Sequence, residues 1–579
     1  MGFTAIIFKY RNFLLTVVTP LLLLPLPLVI GTKESECAFV LVLMAVLWVT
    51  EAAPLAITAM LPAILFPLFG IMKSSAVASV YFKDFHFLLI GVICLATSIE
   101  KWGLHRRIAL RVVTMVGVNP AWLMFGFMTG CAFLSMWVHN TSAVAMVMPI
   151  VEAVLQQILR SSRESDLAGE DNPNLELDEP DCKVQIKEDN SEKKNIDLMD
   201  EKPKDCNLDI SETSSDQAPE AKNMDRLLCK AICLGIAYSS NIGGISTLLG
   251  TSPNLIFSEY LHQMYPECNS VNFGNWLLLC LPISVVMLVL TWAWLYWLFM
   301  GSDFSFLWKC GGEKSEKEKA ARKVLEEEHK ALGPMSPQEI FTSVVFLAMV
   351  LLWLTRDPGF IPGWASLFPD YTGYITDATV ALLLGVLFFI TPAYGPSKNY
   401  DTMISWKEFQ NSMPWTVALL VGGGFALAEG TKESGLSTWV AELLTPLGDL
   451  PVLATITVAC LIVTTLTEVA SNAATITIFL PILSPLAEAI HVNPLYVMIP
   501  ATLCTSFSFL LPVSNPANAV VFAYGHIEVM DMVKAGVGVN IIGVVCVILA
   551  ISTWGIPLFA LDTYPDWAPV LPTLNSTMP

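Results

Sequence analysis

The sequence predicts an all-α polytopic membrane protein made of two inverted-topology repeats, with re-entrant hairpins, broken helices and about 11 transmembrane helices. Two observations predict this class. The chain of 579 residues is 54% hydrophobic and 14% charged, whereas charged residues make up about a quarter of a soluble domain. A block of about sixty residues also occurs twice, at matching points of two long apolar regions.

The chain contains eleven apolar runs, at about residues 12–31, 37–57, 86–99, 120–138, 229–250, 274–300, 340–355, 376–391, 452–466, 493–512 and 535–560. Each is near the ~20 residues that a spanning helix needs, or is shorter and suits a re-entrant or broken segment. Lys9 and Arg11 precede the first run, which lacks a small-residue cleavage site and so predicts a retained helix with a cytoplasmic N-terminus. Asn575 begins a glycosylation sequon beyond the last run, which indicates an extracellular C-terminus. The two ends require an odd number of crossings, and we expect eleven.

Two polar stretches interrupt this pattern and divide the chain. Residues 161–226 hold twenty Asp or Glu against nine Lys or Arg. They cannot bury enough apolar surface to fold, which predicts a disordered acidic loop; the alternative is a regulatory or partner-binding segment. Residues 301–338 carry opposite charges at helical spacing, which predicts a charged linker helix. The predicted organisation is an N-terminal end with the first helix at 1–34, a first repeat in two parts at 35–160 and 227–300, a second repeat at 339–560 and a C-terminal tail at 561–579.

The repeated block centres on a short polar motif. Residues 134–141 read LSMWVHNT, and residues 466–473, which lie 332 positions later, read LTEVASNA. The same offset relates Gly91 to Gly423. A polar cluster between apolar segments also occurs at the capped start of an ordinary helix. Its repetition in register in two membrane-embedded halves is typical of transporters whose broken helices meet at the bilayer midplane.

Each half also contains a second candidate for a broken helix. Glycines and a proline interrupt residues 239–254, and prolines interrupt residues 511–518. The interval from motif to second segment is 68 residues longer in the first half, close to the 66 residues of the acidic loop. Helix kinks could explain any one of these residues but not their paired arrangement. We therefore expect carbonyl and hydroxyl oxygens at both segments to bind a hard cation such as Na⁺.

The distribution of positive charge indicates how an anion would be held. No Lys or Arg lies between Arg111 and Arg160, between Lys230 and Lys309, or between Lys432 and Lys534. A buried dianion would then depend on helix N-termini, backbone N–H groups, polar side chains and cations bound beside it. Two repeats predict at least two Na⁺ ions, carried with the anion. No motif indicates an enzyme, a resident cofactor or nucleic-acid binding.

Outside the acidic loop, the chain resembles the divalent-anion/sodium symporter family, solute carrier family 13. The Ser-Asn-Thr motif of that family matches residues 139–141 and 471–473, and its Gly-Thr-x-Pro-Asn loop matches residues 250–254. Within the family, the sodium/sulfate cotransporter branch is the most similar and the di- and tricarboxylate branch is less similar. Three stretches carry this finer resemblance, at residues 81–86, 118–122 and 487–494.

The resemblance implies two cation sites, one anion site and a mode of transport. The first Na⁺ site would use Ser135, His139, Asn140, Gly243 and Gly244. The second Na⁺ site would use Thr467, Ala470, Asn472, Asn515 and Pro516. The anion would face Asn140, Thr141, Thr251, Pro253, Ser471, Asn472 and Ala473. The family also implies a homodimer in the plasma membrane, in which a transport domain moves like an elevator against a fixed scaffold.

Three departures from the family pattern bear on these sites. His139 stands where the family has Ser, and its imidazole is larger and titrates near neutral pH. Ala473 removes a hydroxyl, which fits a compact tetrahedral oxyanion better than a long dicarboxylate. Ala517 replaces a family Pro and costs only loop rigidity. Two acids within apolar runs, Glu51 and Glu468, are functional candidates, and the alternative is a carboxylate neutralised by a helix end.

The sequence thus leads to one main hypothesis and two alternatives. The main hypothesis is Na⁺-coupled symport of sulfate and similar tetrahedral oxyanions. The first alternative is Na⁺-coupled symport of di- or tricarboxylates. The second is a non-transporting membrane sensor or scaffold, which His139 would permit if it inactivates the first site.

Overall fold

The computed structural model describes most of the chain as helix. The described residues are 10–116, 120–168, 218–301, 326–327, 330–356, 362–368, 374–395, 400–436, 438–439, 451–512 and 514–569. In the first half the helices are α1 Arg11–Leu23, α2 Lys33–Thr50, α3 Leu55–Thr58, α4 Leu61–Phe69, α5 Ser74–Tyr81, α6 Asp84–Lys101, α7 Leu104–Val116, α8 Pro120–Ser135, α9 Asn140–Ala168, α10 Ala218–Gly244, α11 Ser252–Met264 and α12 Phe273–Met300. The all-α class is therefore confirmed.

The second half repeats this plan. Its helices are α13 Pro337–Arg356, α14 Asp377–Ile390, α15 Trp406–Ser412, α16 Trp415–Glu433, α17 Val452–Thr467, α18 Asn472–Ala489, α19 Pro494–Cys504, α20 Pro516–Ala523, α21 Val529–Ser552 and α22 Gly555–Phe559. The hairpin α8–α9 and the broken pair α10–α11 thus correspond to the hairpin α17–α18 and the broken pair α19–α20. Prolines lie at or near the start of α11 and α20, where a missing backbone N–H costs nothing.

Seven helices in the described part of the chain are long and apolar enough to cross a membrane. The pair α15–α16 is bent by 59° and would make an eighth if it is one span. Helices α8, α17 and α19 are apolar but shorter, because the polar motifs interrupt the runs that contain them. The class of a polytopic membrane protein with broken spans is confirmed, and the number eleven stays a prediction.

Helices of each half pack against helices of the other half. Helix α6 of the first half packs against α14 of the second, and α16 of the second half packs against α2 to α5 of the first. The repeated glycines explain why these helices approach so closely. A Cβ atom at Gly91 would overlap the backbone of Ala381, and one at Gly423 would overlap the backbone of Ala59. Glycine is therefore repeated where the backbones of two helices cross.

One contact joins equivalent positions of the two repeats. The Nε2 atom of His86 lies 3.1 Å from the carbonyl oxygen of Ala418, which is the residue 332 positions later. Two equivalent residues can touch only near the axis that relates their repeats. A pseudo-twofold axis that relates the repeats would therefore pass between the N-terminal parts of α6 and α16. The orientation of that axis in a membrane, and hence the inversion of the repeats, stays a prediction.

The helices that carry the motifs are also interlocked. Helix α20 of the second half packs on α9 and α10 of the first, while α11 of the first half packs on α18 and α19 of the second. Each broken helix therefore inserts its second part into the opposite half. This arrangement brings the polar loops of both halves to the middle of the protein.

The predicted acidic loop is partly helical at its ends. Helix α9 continues to Ala168 and α10 begins at Ala218, so both edges of the range 161–226 belong to helices. Residues with high helix propensity, such as Arg163 and Glu164, extend a helix that the membrane segment has already nucleated. Residues 169–217 lie outside the described residues, as do the central residues of the predicted linker helix at 301–338.

Candidate functional site

The first motif forms the tip of the hairpin α8–α9. Helix α8 ends at Ser135, a short turn follows, and α9 begins at Asn140. The carbonyl oxygen of His139 accepts from the backbone N–H of Ala143 at 3.0 Å, so His139 is the residue that caps α9. In the second half, the carbonyl oxygen of Ser471 accepts from Thr475 at 2.9 Å in the same way. The repeated sequence therefore folds into a repeated helix start.

A cluster of oxygen atoms lies behind the first tip. The Ser135 hydroxyl is 2.6 Å from the Asn140 Oδ1 atom and 2.6 Å from the Ser240 carbonyl oxygen. The Asn140 Oδ1 atom also lies 3.2 Å from the Gly250 carbonyl oxygen and 3.3 Å from that of Ser240. One hydroxyl hydrogen cannot serve all of these pairs. Two arrangements satisfy these oxygens: a reversed Asn140 amide, whose Nδ2 atom would donate to Ser135, Ser240 and Gly250, or a hard cation, which prefers oxygen ligands.

Glycines make this cluster compact. A Cβ atom at Gly243 would overlap the carbonyl of Ala132, and one at Gly244 would overlap the Asn140 side chain. A Cβ atom at Gly250 would overlap the carbonyl oxygen of Gly244 and lie 2.9 Å from that of Ser135. Any side chain at these positions would push the helix break away from the hairpin tip. The sequence-predicted residues Ser135, Asn140, Gly243 and Gly244 are therefore brought together.

The second half builds a similar cluster with different residues. The Thr467 hydroxyl lies 2.9 Å from Asn472 Oδ1 and 2.7 Å from the carbonyl oxygen of Thr505. Thr467 and Asn472 are the repeat equivalents of Ser135 and Asn140, and Thr505 takes the place of Ser240. Ala470, another predicted ligand, is buried in the turn between Thr467 and Asn472. The hydroxyl, amide and carbonyl chemistry of the first cluster is thus conserved between the repeats.

Two buried asparagines shape the helix breaks. The Asn254 Nδ2 atom donates to the carbonyl oxygen of Thr247 at 2.8 Å, within the loop between α10 and α11. In the loop between α19 and α20, Asn518 Nδ2 donates to Ser508 at 2.8 Å and to Leu511 at 3.1 Å. Each asparagine therefore satisfies the carbonyls that its own broken helix leaves free.

The side chain of Asn515 reaches across to the first half. Its Oδ1 atom accepts from the Ala517 N–H at 3.0 Å and caps α20, while its Nδ2 atom donates to Asn241 Oδ1 at 2.8 Å. Neither atom is turned toward the cluster at Thr467. Pro516 follows at the first position of α20. The roles of Asn515 and Pro516 as ligands of the second Na⁺ stay predictions.

The residues predicted to face the anion lie at the starts of three helices. Thr141 is in the first turn of α9, and its buried hydroxyl has no hydrogen-bond partner among the described residues. Thr251 precedes α11, and Pro253 lies in the first turn of that helix. Ser471 precedes α18, which begins at Asn472 and continues through Ala473. Helix N-termini present free N–H groups and a positive dipole end, which favour an anion.

An open cavity of about 540 Å³ reaches the second tip. Ala470 and Ser471 line it together with Arg11, Glu51 and Ser514. Arg11 is distant from the motif in sequence, so the spacing of basic residues around the motifs did not predict its position beside the second tip. The cavity therefore contains one fixed positive charge beside the second tip. Glu51, at the left-handed end of α2 with φ 49°, lies in the same cavity.

The His139 side chain lies between apolar residues. It lines a small cavity with Leu88, Val92, Trp137 and Leu255, next to the bend before α16. Within the described ranges, no hydrogen bond joins its ring to the oxygen cluster. The backbone of His139 instead serves the start of α9. Its role as a Na⁺ ligand stays a prediction.

The buried carboxylate of Glu468 has a structural set of partners. It accepts from the backbone N–H groups of Phe509 and Leu510, both at 3.0 Å, and from Asn540 Nδ2 at 2.6 Å. These bonds tie the second hairpin tip to the loop between α19 and α20 and to α21. The partners are loop N–H groups and an amide side chain, not the helix end of the alternative, and a functional role of Glu468 stays a prediction. The predicted glycosylation site, Asn575, lies outside the described residues.

Sequence reasoning missed two residues of this region besides Arg11. Asn241 is 1% exposed and joins Asn140 to Asn515, and Asn540 holds Glu468. Asn241 lies inside the polar stretch 239–254, so its presence near the site could have been predicted. Its partners could not, because they belong to the opposite hairpin and the opposite half.

Comparisons with known proteins identify the family of this chain. A family model described as the sodium:sulfate symporter transmembrane region matches residues 7–561. The chain is 56% identical to solute carrier family 13 member 1 of Rattus norvegicus over 591 residues, which covers 99% of both chains. It is 54% identical to solute carrier family 13 member 1 of Homo sapiens over 597 residues, which covers 100% of both. The solved YdaH transporter of Alcanivorax borkumensis is 10% identical, covers 83% of this chain and 88% of its own, and has a TM-score of 0.44, too low to support an argument.

Proposed function

This chain belongs to the sodium:sulfate symporter family, solute carrier family 13, and from that membership we propose that it carries sulfate across a membrane together with Na⁺. Similar tetrahedral oxyanions would share the site. The observation that carries the proposal is the duplicated oxygen cluster at the tips of the two hairpins. Each cluster pairs a hydroxyl and an amide oxygen with a backbone carbonyl oxygen, and neither contains a Lys or Arg side chain.

The proposed order of events follows from electrostatics. Oxygen clusters attract cations, and a dianion is too costly to bury in a site made of neutral groups. Na⁺ ions at Asn140 and Asn472 would supply positive charge beside the starts of α9 and α18. Sulfate would then bind to N–H groups and hydroxyls at the helix starts. Coupling arises because the anion gains most of its stabilisation only when the cations are present.

We assign the site residues as the family resemblance implies. The first Na⁺ would be held by Ser135, Asn140 and the glycine loop, and the second by Thr467, Asn472 and the turn at Ala470. The anion would lie against the residues that begin three helices: Asn140, Thr141, Thr251, Pro253, Ser471, Asn472 and Ala473. The methyl group of Ala473 would leave room for a compact oxyanion but offer no hydroxyl to a second carboxylate.

We also propose the elevator mechanism. Residues of the hairpins and broken helices would form a transport domain, and α2 to α6 with α13 to α16 would form the scaffold. The supporting observation is that α6 packs on α14 and α16 packs on α2 to α5, whereas α11 and α20 pack on the helices of the hairpins and of the other broken helix. The working unit would be a homodimer in the plasma membrane, with a cytoplasmic N-terminus and an extracellular, glycosylated C-terminus.

An uptake panel tests the proposed function. Cells that express the protein would be given labelled sulfate or labelled succinate, in sodium medium and in choline medium. We expect sulfate uptake that depends on Na⁺, and little succinate uptake. Succinate uptake without sulfate uptake would instead support the dicarboxylate alternative, and no uptake of either would support the sensor.

A further inference from the structure

The side chain of Asn241 is hydrogen-bonded to both halves of the protein. Its Oδ1 atom accepts from Asn140 Nδ2 at 2.9 Å and from Asn515 Nδ2 at 2.8 Å. Asn140 belongs to the first oxygen cluster, and Asn515 follows the loop that supplies the Thr505 carbonyl to the second cluster. A single amide oxygen therefore receives one hydrogen bond from each repeat.

The cap of α20 determines which amide atoms donate and which accept in these two hydrogen bonds. The Asn515 Oδ1 atom accepts from the Ala517 N–H, so its Nδ2 atom must face Asn241. Asn241 must then present Oδ1, which in turn needs the Nδ2 atom of Asn140. That choice turns Asn140 Oδ1 toward Ser135 and the loop carbonyls. A reversed Asn140 amide would donate to Ser135 and to the Ser240 and Gly250 carbonyls, but its oxygen would lie 2.9 Å from Asn241 Oδ1. A cation bound to the cluster needs the amide oxygen there, so the cation and the cap of α20 favour the same orientation of Asn140.

No other hydrogen bond in the described ranges holds the side chain of Asn241. Its Nδ2 atom is buried and has no partner among the described residues. The orientation of its amide therefore depends on the two bonds that Oδ1 accepts. The repeat offers no second bridge, because the position that follows Thr505 is Ser506, as Asn241 follows Ser240. The buried Ser506 hydroxyl has no hydrogen-bond partner within the described part of the chain.

We propose that Asn241 is a positioning residue that couples the two cation sites. This inference rests on the proposed function only in taking Na⁺ as the ion that the clusters bind. A cation at Asn140 Oδ1 withdraws electron density from that amide and makes its N–H groups stronger donors to Asn241. Hydrogen bonds in such a chain strengthen one another. The ordered Asn241 then holds Asn515, the start of α20 and the loop that carries Thr505, so the second cluster is formed before its own cation arrives.

Titration of the purified full-length protein with NaCl, followed by its tryptophan fluorescence, tests this coupling without sulfate, because Trp137 lies in the turn of the first hairpin. Choline chloride would keep the ionic strength constant. For the unchanged protein we expect a sigmoidal change of fluorescence with Na⁺ and a Hill coefficient above one, with the number of coupled sites as its upper limit. For Asn241→Ala we expect a Hill coefficient of about one and a half-saturating Na⁺ concentration raised by about fivefold or more, the lower end of typical coupling effects.

Two isosteric variants separate the bridge from general stability. Asn241→Asp keeps an acceptor for both donors, so cooperativity is expected to remain. Asn515→Asp keeps the cap on Ala517 but loses the donor to Asn241, so cooperativity is expected to disappear although α20 remains capped. Ser506→Ala removes an unpaired polar group at the equivalent position and serves as the control, with an unchanged Hill coefficient. If Asn241→Ala does not fold, the Hill coefficient of Asn515→Asp still tests the bridge.

The proposal is overturned if both Asn241→Ala and Asn515→Asp titrate with the Hill coefficient of the unchanged protein. It is also overturned if the unchanged protein shows no cooperativity for Na⁺. These outcomes are distinct from failure of the proposed function. Cooperative Na⁺ binding that Asn241→Ala abolishes, in a protein that takes up no sulfate, would refute the substrate and support the coupling.

Discussion

At the scale of single residues, the two motifs differ in sequence and agree in chemistry. Ser135 and Thr467 both place a hydroxyl between an amide oxygen and a backbone carbonyl oxygen. The repeat in the sequence predicted this pairing, because equal spacing in two equivalent hairpins puts equivalent atoms together. The bridge through Asn241 was not predictable, since a local pattern contains no information on contacts between opposite halves.

Removing either hydroxyl should weaken cation binding. Ser135→Ala and Thr467→Ala each remove one oxygen ligand and leave the amide and carbonyl oxygens in place. A loss of about 1.4 kcal/mol, the size of one hydrogen bond, corresponds to a tenfold change in affinity. We therefore expect the Na⁺ concentration for half-maximal sulfate uptake to rise about tenfold in each variant. Ser98→Ala, which breaks a buried hydroxyl pair with Thr342 in the scaffold, should not change it. Unchanged Na⁺ dependence in both motif variants would exclude these hydroxyls as ligands.

His139 provides a test of the sensor alternative. Its ring lines an apolar cavity, and its backbone caps α9, so the family residue Ser should be tolerated there. We expect His139→Ser to transport sulfate with a half-saturating Na⁺ concentration within about threefold of the unchanged protein, a difference below 1 kcal/mol. Sulfate uptake would be measured across a range of Na⁺ concentrations. Transport that appears only in His139→Ser would mean that histidine inactivates the first site.

At the scale of helices, glycines and asparagines determine how the elements meet. The sequence showed that Gly91 and Gly423 are repeated but not which helices they contact. The structure pairs them with Ala381 and Ala59, each in the opposite half. The helix breaks were predicted because Gly and Pro residues combined with polar residues in both halves, whereas an isolated proline such as Pro481 is accommodated inside α18. Their exact closure, by Asn254 and Asn518, depends on loop conformations that a residue pattern does not specify.

Alanine at the repeated glycines should disrupt the scaffold. At Gly91 or Gly423 the added methyl group would overlap the backbone of a facing helix, and a backbone cannot move aside as a side chain can. Overpacking of this kind costs about 1–3 kcal/mol or more. We expect each variant to lower the Tm of the purified protein and the amount of folded protein. Gly395→Ala, where a Cβ atom would meet open space, is the control. Equal stability of all three variants would contradict the packing.

The carboxylate of Glu468 should stabilise the second hairpin tip. Glu468→Ala would leave two backbone N–H groups, at Phe509 and Leu510, without their acceptor. A buried unsatisfied group costs about 1–3 kcal/mol. We expect Glu468→Ala to lower Tm. Glu468→Gln keeps one acceptor oxygen, so we expect it to retain the larger part of the Tm that Glu468→Ala loses. A Glu468→Ala variant with unchanged Tm would show that water satisfies these groups.

At the scale of the whole molecule, the two repeats form one interlocked unit. Helices α11 and α20 each pack on helices of the opposite half. Helices α6 and α16 also pack on helices of the opposite half. The polar loops therefore meet at the centre, where neither half could bury them alone. Composition and the repeat predicted the class and the paired motifs. Composition and the repeat did not determine the number of membrane crossings, because an apolar run that contains a break has the same composition as a continuous span.

The account depends most on the claim that sulfate is held only when Na⁺ is bound beside it. Equilibrium binding of labelled sulfate to the purified protein, in sodium medium and in choline medium at equal ionic strength, tests this claim directly. We expect binding in sodium medium and at least a tenfold lower affinity in choline medium, a difference of at least about 1.4 kcal/mol. Equal sulfate affinity in the two media would contradict the account.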